Sequence, residues 1–308
     1  MATPTTRRKR APQTVFLIDA PVYIFRAYFS LPASMVDTKG RPFNAVYGFG
    51  QFLCSLLERE CPTHVAAAFD ESLTTSLRNQ WYADYKANRE LPPRELEEQF
   101  AQCKRLTRAM GVRTYASGHY EADDLIATVA RRARDAGMRT MIVSRDKDLA
   151  QLVGPGDRWW DGLDGPRLSA RGVKVRFGVA PAQIADYLAL TGDAVDNIPG
   201  VPGIGPAAAR VLLGRYRTLE KIYDNLGRVA DLEVRGARRI AELLKRNRDA
   251  AFLSQRLARL HTNSRLRCEP SDLVWRGPNR RSLLALFREL GIGARLTQRC
   301  LALRGSVA

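Results

Sequence analysis

Over the first half of the chain, short unbroken apolar runs alternate with amphipathic stretches. VFLIDA and THVAAAFD read as strands with hardly a polar position inside them, and RTMIVS is a third run of the same kind. Runs of this sort suit central parallel strands, covered on both faces. Between them, NAVYGFGQFLCSLLERE, RELEEQFAQCKRLTRAMG and ADDLIATVARRARDAG repeat apolar residues at helical spacing. Strands alternating with helices predict an α/β sheet clad in helices. The stretch SLTTSLRNQWYADYKANRELPP is charged and aromatic and has no clean apolar face.

After about residue 180 the texture changes. PAQIADYLAL, AAARVLLGRY, LEKIYDNL, ARRIAELLKRN and RDAAFLSQRLARL read as helices parted by short glycine- or proline-bearing turns. The tail beyond Cys268 is less periodic, although RSLLALFRELG is helical in pattern. The expected organisation is a basic disordered tail over 1–14, an α/β catalytic domain over 15–180 and a helical domain over 181–308. No solenoid-type repeat is present.

Charge changes the picture. Lys and Arg number 49 against 32 Asp and Glu, a formal net charge of +17, which points to nucleic acid or another polyanion. The five cysteines form no CxxC pair and histidines number three, so neither structural zinc nor a disulfide framework is expected. No run is long and apolar enough to span a membrane, and the basic N-terminus lacks the apolar core of a secretory signal. A cytoplasmic protein is expected.

Against this basic background, acids gather in five clusters: Asp19; Asp70; Glu121, Asp123 and Asp124; Asp146 and Asp148; Asp193 and Asp196. Asp19, Asp70 and the Asp146/Asp148 pair fall where strands finish, the edge at which open α/β sheets place functional groups. For any one acid, capping or solvation is the better account; five clusters together reverse that. Like charges gathered in one place need cations, and all-oxygen ligands suit Mg2+ or Mn2+. Two such ions about 3.5–4 Å apart activate a water and stabilise the departing oxygen of a phosphodiester. Lys86 and Arg78 are candidates for charge stabilisation of the scissile phosphate, or else ordinary exposed helix surface.

The run YGFGQFLCSLLERECPTHVAAAFD, then YADYKANR, YEADDLIATVARRA, SRDKDLAQLV and LTGDAVDNIPGVPGIG, closely resembles the 5′→3′ exonuclease, flap endonuclease-like family. Within it the chain is similar to the N-terminal nuclease domain of bacterial DNA polymerase I. The resemblance implies a PIN-like mixed, twisted sheet flanked by helices, a helical arch, and a helix–three-turn–helix element in the helical C-terminal unit. All nine acids carry over as metal ligands, with the Asp193/Asp196 pair as the outer, looser site. Arg78, Lys86 and Arg89 match basic arch positions, Tyr82 a stacking partner, and Arg26 a basic position near the active site. The implied activity is metal-dependent cleavage of 5′ flaps and nicked or branched duplex DNA in replication and repair, at the nucleoid; a monomer is the default expectation. An RNA–DNA hybrid is a further possible substrate.

The hairpin IPGVPGIGPAAARVLL has its own physical logic. Gly200, Gly203 and Gly205 permit tight turns and close approach to a phosphate, and Val201 and Ile204 lie between them. A helix starting after Gly205 aims free N–H groups at that phosphate, holding duplex by its backbone without reading sequence. The resemblance adds a K+ ion bound by loop carbonyls. This chain departs from the family in three places. Pro206, Ala207 and Ala208 replace a lysine-bearing GEKTA, leaving Arg210 as the nearest cation. Arg145 precedes the Asp146 cluster, and Ala20-Pro21 follows Asp19 where a glycine-led turn is commoner. The competing reading is a DNA-junction binding protein with a silent site, against which stands the complete set of acids. A nuclease unit cut from a longer DNA polymerase I would read the same.

Overall fold

The computed structural model describes residues 12–71 and 76–305. Most of the basic stretch expected to be disordered, residues 1–11, lies outside them. Among the described residues, six strands form one sheet: β1 (Thr14–Asp19), β2 (His64–Asp70), β3 (Arg113–Ser117), β4 (Arg139–Val143), β5 (Arg158–Trp160) and β6 (Arg167–Leu168), in the order β3-β2-β1-β4-β5-β6. The first five run parallel and β6 turns back antiparallel to β5. Parallel alignment brings the C-terminal ends of β1, β2 and β4 to one edge.

The unbroken apolar runs are explained by burial on both faces. Val15 and Leu17 point into one core, and Phe16 and Ile18 into the other, as the two-residue period of a strand requires. Helices α1 (Ala20–Ser30), α2 (Asn44–Glu60), α3 (Leu77–Trp81), α4 (Arg94–Ala109) and α5 (Ala122–Asp135) follow in order. α1, α2 and α4 cover one face through Ile24, Phe49, Leu53 and Leu106; α5 covers the other through Leu125, Ile126 and Val129. α1 is one of the elements that periodicity missed, as it also missed β5 and β6. The helix begins directly at Asp19, with Pro21 in its first turn, where the missing N–H costs nothing. The Ala20-Pro21 departure is therefore a helix start. In the segment expected to form an arch, the described residues hold the short α3 and then turns through Asn88; residues 72–75 lie outside the description.

Helices α6 (Ala170–Phe177), α7 (Ile184–Thr191), α8 (Pro206–Tyr216), α9 (Leu219–Asp224), α10 (Leu226–Val229), α11 (Ala237–Arg246) and α12 (Arg248–Ala258) pack with α5 in the first core. The strip after α12 fastens this unit to the sheet. Gln151 donates to the Ala258 carbonyl (3.1 Å) and accepts from the Leu260 N–H (3.1 Å), and Ser264 donates to Thr128 (2.8 Å). The last helices, α13 (Arg280–Glu289) and α14 (Ala294–Ala302), return to the opposite face. Trp275 introduces them, its N–H donating to Thr63 O and its indole to Met110 O, both at 2.9 Å. The expected helical unit 181–308 thus divides in space, its tail belonging to the second core of the catalytic sheet.

Candidate active site

The C-terminal sheet edge gathers the acids. Asp19 closes β1 and Asp70 closes β2. Glu121 is the N-cap of α5, with Asp123 in its first turn. Ser144 follows β4, then Asp146 caps the 3-10 turn Lys147–Leu152 that carries Asp148. That turn lets Asp146 Oδ1 accept from the Asp148 N–H (2.8 Å), so the two acids share a face although only two residues apart.

Hydrogen bonding divides the nine acids into two groups. Asp19, Asp70, Asp123, Asp146 and Asp148 form no direct ion pair among the described residues, although the nearby charges of Lys86 and Lys147 act on them. Asp19 accepts from the Ser144 hydroxyl (2.6 Å) and Asp70 from the Ala122 N–H (2.7 Å). Asp148 Oδ1 is buried with no hydrogen-bond partner among the described residues. Burial raises the pKa of all five, and mutual repulsion adds to it. Asp19 is pushed up to about 8 by burial, with Asp146 and Asp70 raising it further and the Ser144 bond opposing. Asp123 and Asp148 lie well above the usual range, and Asp70 and Asp146 are raised too. The second group is saturated by the protein's own cations. Glu121 meets Lys86 at 3.1 Å, Arg78 at 3.3 Å and the Tyr85 hydroxyl at 3.2 Å. Burial alone would raise Glu121, but Lys86 and Arg78 outweigh it and hold it below its ordinary value. Asp193 is paired with Lys147 (2.6 Å) and Asp196 with Arg89.

Among the described residues, no three acid, histidine or cysteine side chains already converge as a finished metal shell. The donor set nevertheless fits a hard divalent ion: the open atoms are all carboxylate oxygens, and the orphaned Asp148 Oδ1 is a buried acceptor that a cation would satisfy.

Three sequence expectations are corrected by these surroundings. Asp124 is fully buried, and its carboxylate accepts from Arg78 (2.7 and 2.9 Å), from the His261 N–H (2.9 Å) and from the Glu121 N–H in a capping box. It has no oxygen left for a metal. Arg78 is 1% exposed and also donates to the Leu257 carbonyl (2.7 Å) and the Arg259 carbonyl (3.2 Å). Enclosed in this way, it braces the site and cannot meet a phosphate. Tyr82 is partly buried against the first core, which leaves less ring free for stacking. Lys86 and Arg89 do stand at the cluster, whereas Arg26 is exposed on α1 without an ion pair among the described residues. Arg145 is exposed and forms no ion pair there either.

The glycine hairpin links α7 to α8. Gly200 and Gly203 take left-handed backbone, φ 63° and 89°. A side chain on Gly200 would strike the Gly192 backbone at 2.2 Å, whereas Gly205 has open space and an ordinary φ of −93°. Val201 and Ile204 bury their side chains in the core, so only their backbone can face a ligand. Arg210 does not replace the missing lysine freely, because its Nε donates to the Phe177 carbonyl (2.9 Å). The guanidinium nearest Gly203 is that of Arg239 on α11, 3.8 Å from where a Cβ would stand. Sequence reasoning missed Arg239, and also Ser144, Tyr85 and Lys147. Ser144, Tyr85 and Lys147 each adjoin a residue already singled out (Arg145, Lys86, Asp146), and that adjacency was the available signal.

An acid-lined parallel sheet edge, joined to a helical unit that presents a glycine hairpin, defines a two-part α/β catalytic protein. The family model of the 5'-3' exonuclease N-terminal resolvase-like domain matches residues 14–178, and that of the 5'-3' exonuclease C-terminal SAM fold matches residues 179–281. The chain belongs to the 5'-3' exonuclease family. It is 38% identical to DNA polymerase I of Bacillus caldotenax over 279 residues, 89% of this chain and 31% of that protein. It is 40% identical to DNA polymerase I of Pseudomonas aeruginosa over 275 residues, 89% of this chain and 30% of that one. The chain thus spans about a third of the length of these relatives. Among solved structures, T5 D15 protein co-crystallised with metal ions superposes with TM-score 0.67 at 18% identity, covering 81% of this chain and 90% of its own. The catalytic core of Rad2 in complex with DNA substrate gives 0.64 at 15%, covering 94% and 92%. These two show the shared fold.

Proposed function

We propose that the protein is a divalent-metal-dependent 5′-nuclease that hydrolyses DNA phosphodiesters at 5′ flaps and at nicked or branched duplex. The observation that carries this reading is the set of five carboxylates on one sheet edge, Asp19 and Asp148 buried and Asp70, Asp123 and Asp146 partly so, all with raised pKa. Asp19, Asp70, Asp123, Asp146 and Asp148 would hold the metal; Mg2+ or Mn2+ there supplies a nucleophile at neutral pH and stabilises the departing oxygen. Lys86 and Arg89, at the rim of the cluster, bring positive charge to the phosphate under attack. The hairpin holds the duplex through the backbone of Gly203 and Gly205 and orients the 5′ end without reading bases. Fold neighbours solved with ligands, T5 5'-exonuclease with bound zinc and the catalytic core of Rad2 with DNA substrate, support the ligand classes. A K+ ion on the hairpin carbonyls, action on RNA–DNA hybrids, a monomeric state and work at the nucleoid are parts of the same proposal.

The test is cleavage of a 5′-flap DNA, compared with single strand and blunt duplex, with Mg2+, Mn2+ or chelator. Metal-dependent cutting near the junction is expected, abolished by Asp146→Ala while flap binding persists. Tight flap binding with no cutting under either metal would establish instead a silent junction-binding protein.

A further inference from the structure

Lys86 stands where a small cation would be expected. Its ammonium lies 3.1 Å from Glu121 Oε1 and 3.8 Å from Asp196 Oδ2, with the side chain only 10% exposed. It is delivered there by a tightly held backbone. The Lys86 N–H donates to the Asp196 carbonyl (3.0 Å), and its φ of 57° is left-handed, unusual for a residue with a side chain. Flanking residues fix the same strip: Asn88 donates to Ala194 O (2.7 Å) and Asn197 to Asp84 O (2.6 Å). The other Glu121 oxygen is shared by Arg78 and Tyr85, so neither oxygen of Glu121 is free while Lys86 remains.

We propose that the Lys86 ammonium is the resident counter-cation of the acid cluster, and that a divalent ion displaces it. The inference rests on the metal site proposed above and adds an order of events. Carboxylates crowded at one edge need positive charge to coexist, and in the metal-free protein Lys86 supplies it. Lys86 contacts Glu121 and Asp196 directly and acts by its charge on Asp19, Asp70, Asp123 and Asp146, so with a divalent ion among the neighbouring aspartates the ammonium would be repelled and those acids would have a stronger partner. Lys86 then swings outward, Glu121 is released to face the ion, and the freed ammonium is available to a phosphate. Metal loading thereby arms the lysine, and the protein tolerates the empty site without unfolding.

The test uses the wild-type protein without DNA. An amine-reactive ester is applied in chelator and with Mn2+ alone, and modification of Lys86 is read by peptide mass spectrometry against the exposed Lys39. Lys86 is expected to be protected in chelator and to react faster with Mn2+. If calorimetry shows Mn2+ bound but Lys86 labelling is unchanged or lower, the exchange is overturned and the metal site stands. If Mn2+ does not bind at all, both fall. Lys86→Met is expected to bind Mn2+ about tenfold more tightly, with Lys86→Arg near wild type. Equal affinity for the Met variant also overturns the proposal.

Discussion

At the residue scale, environment rather than identity separates the carboxylates. Asp124 and Asp148 are both buried, but one is saturated by a guanidinium and backbone N–H groups while the other keeps an orphaned oxygen. Arg78 is the brace between Asp124 and the helical unit. Arg78→Met leaves Asp124 buried and uncompensated, and should cost about 3–5 kcal/mol of stability. Urea unfolding checks this; a loss within about 0.5 kcal/mol, as at an ordinary exposed site, would return Arg78 to a phosphate-facing role. The raised acids also make stability depend on pH. In the unfolded chain they titrate near about 4, while folded Asp19 does so at about 8. Between these values the folded protein binds more protons than the unfolded one, so the contribution is full below about pH 4 and is lost as pH rises through about 8. Glu121, held low, has the opposite sign and contributes above its unfolded value. Among the site carboxylates five are raised against Glu121 lowered, so their joint contribution to metal-free stability should fall from pH 5 to pH 8, opposed by His64 and His261, whose values burial lowers. The thermal shift given by Mg2+ or Mn2+ should correspondingly be larger at pH 8 than at pH 5. An equal shift at both values would mean that these carboxylates are not the ligands.

At the element scale, the two ends of the hairpin do different work. Gly203 needs its left-handed backbone, and a side chain there would meet Leu243 at 3.0 Å. Gly205 needs nothing of the kind for folding, having an ordinary φ and no atom within reach. Gly205→Ala should therefore leave the melting temperature nearly unchanged and weaken blunt-duplex binding several-fold in chelator, since only the close approach of a phosphate is blocked. Gly203→Ala should lower both stability and affinity. Unchanged duplex affinity in the Gly205 variant would remove the hairpin from the DNA interface. The short α1 shows why elements of this kind are hard to read. Its run APVYIFRAYFS is apolar and aromatic nearly all round, so the helical period is faint, and the helix exists because Asp19 ends a buried strand against α2.

At the scale of the whole molecule, the chain leaves the catalytic sheet for the helical unit and then comes back. Leu283, Phe287, Leu296 and Cys300 fill the core formed by α2 and α4, and truncating even one such aromatic typically costs about 3–5 kcal/mol. Deleting residues 270–308 should therefore destabilise the catalytic unit itself, seen as insolubility or a much lower melting temperature. A deletion variant that melts like the full chain would show the tail to be an appendage. Patterning in the sequence determined the alternating strands and helices, the parallel sheet and the acid clusters at strand ends, because a buried parallel strand must be apolar throughout and a polar residue can appear only where it stops. Motif order likewise carried the family and the hairpin. What tertiary structure alone decided was the partition of the acids: which are quenched by Arg78, Lys86, Arg89 and Lys147, and which stay open. That depends on cations brought from 35 or more positions away, from Lys86 on Glu121 to Arg89 on Asp196, and electrostatic energy follows distance in space, not separation along the chain.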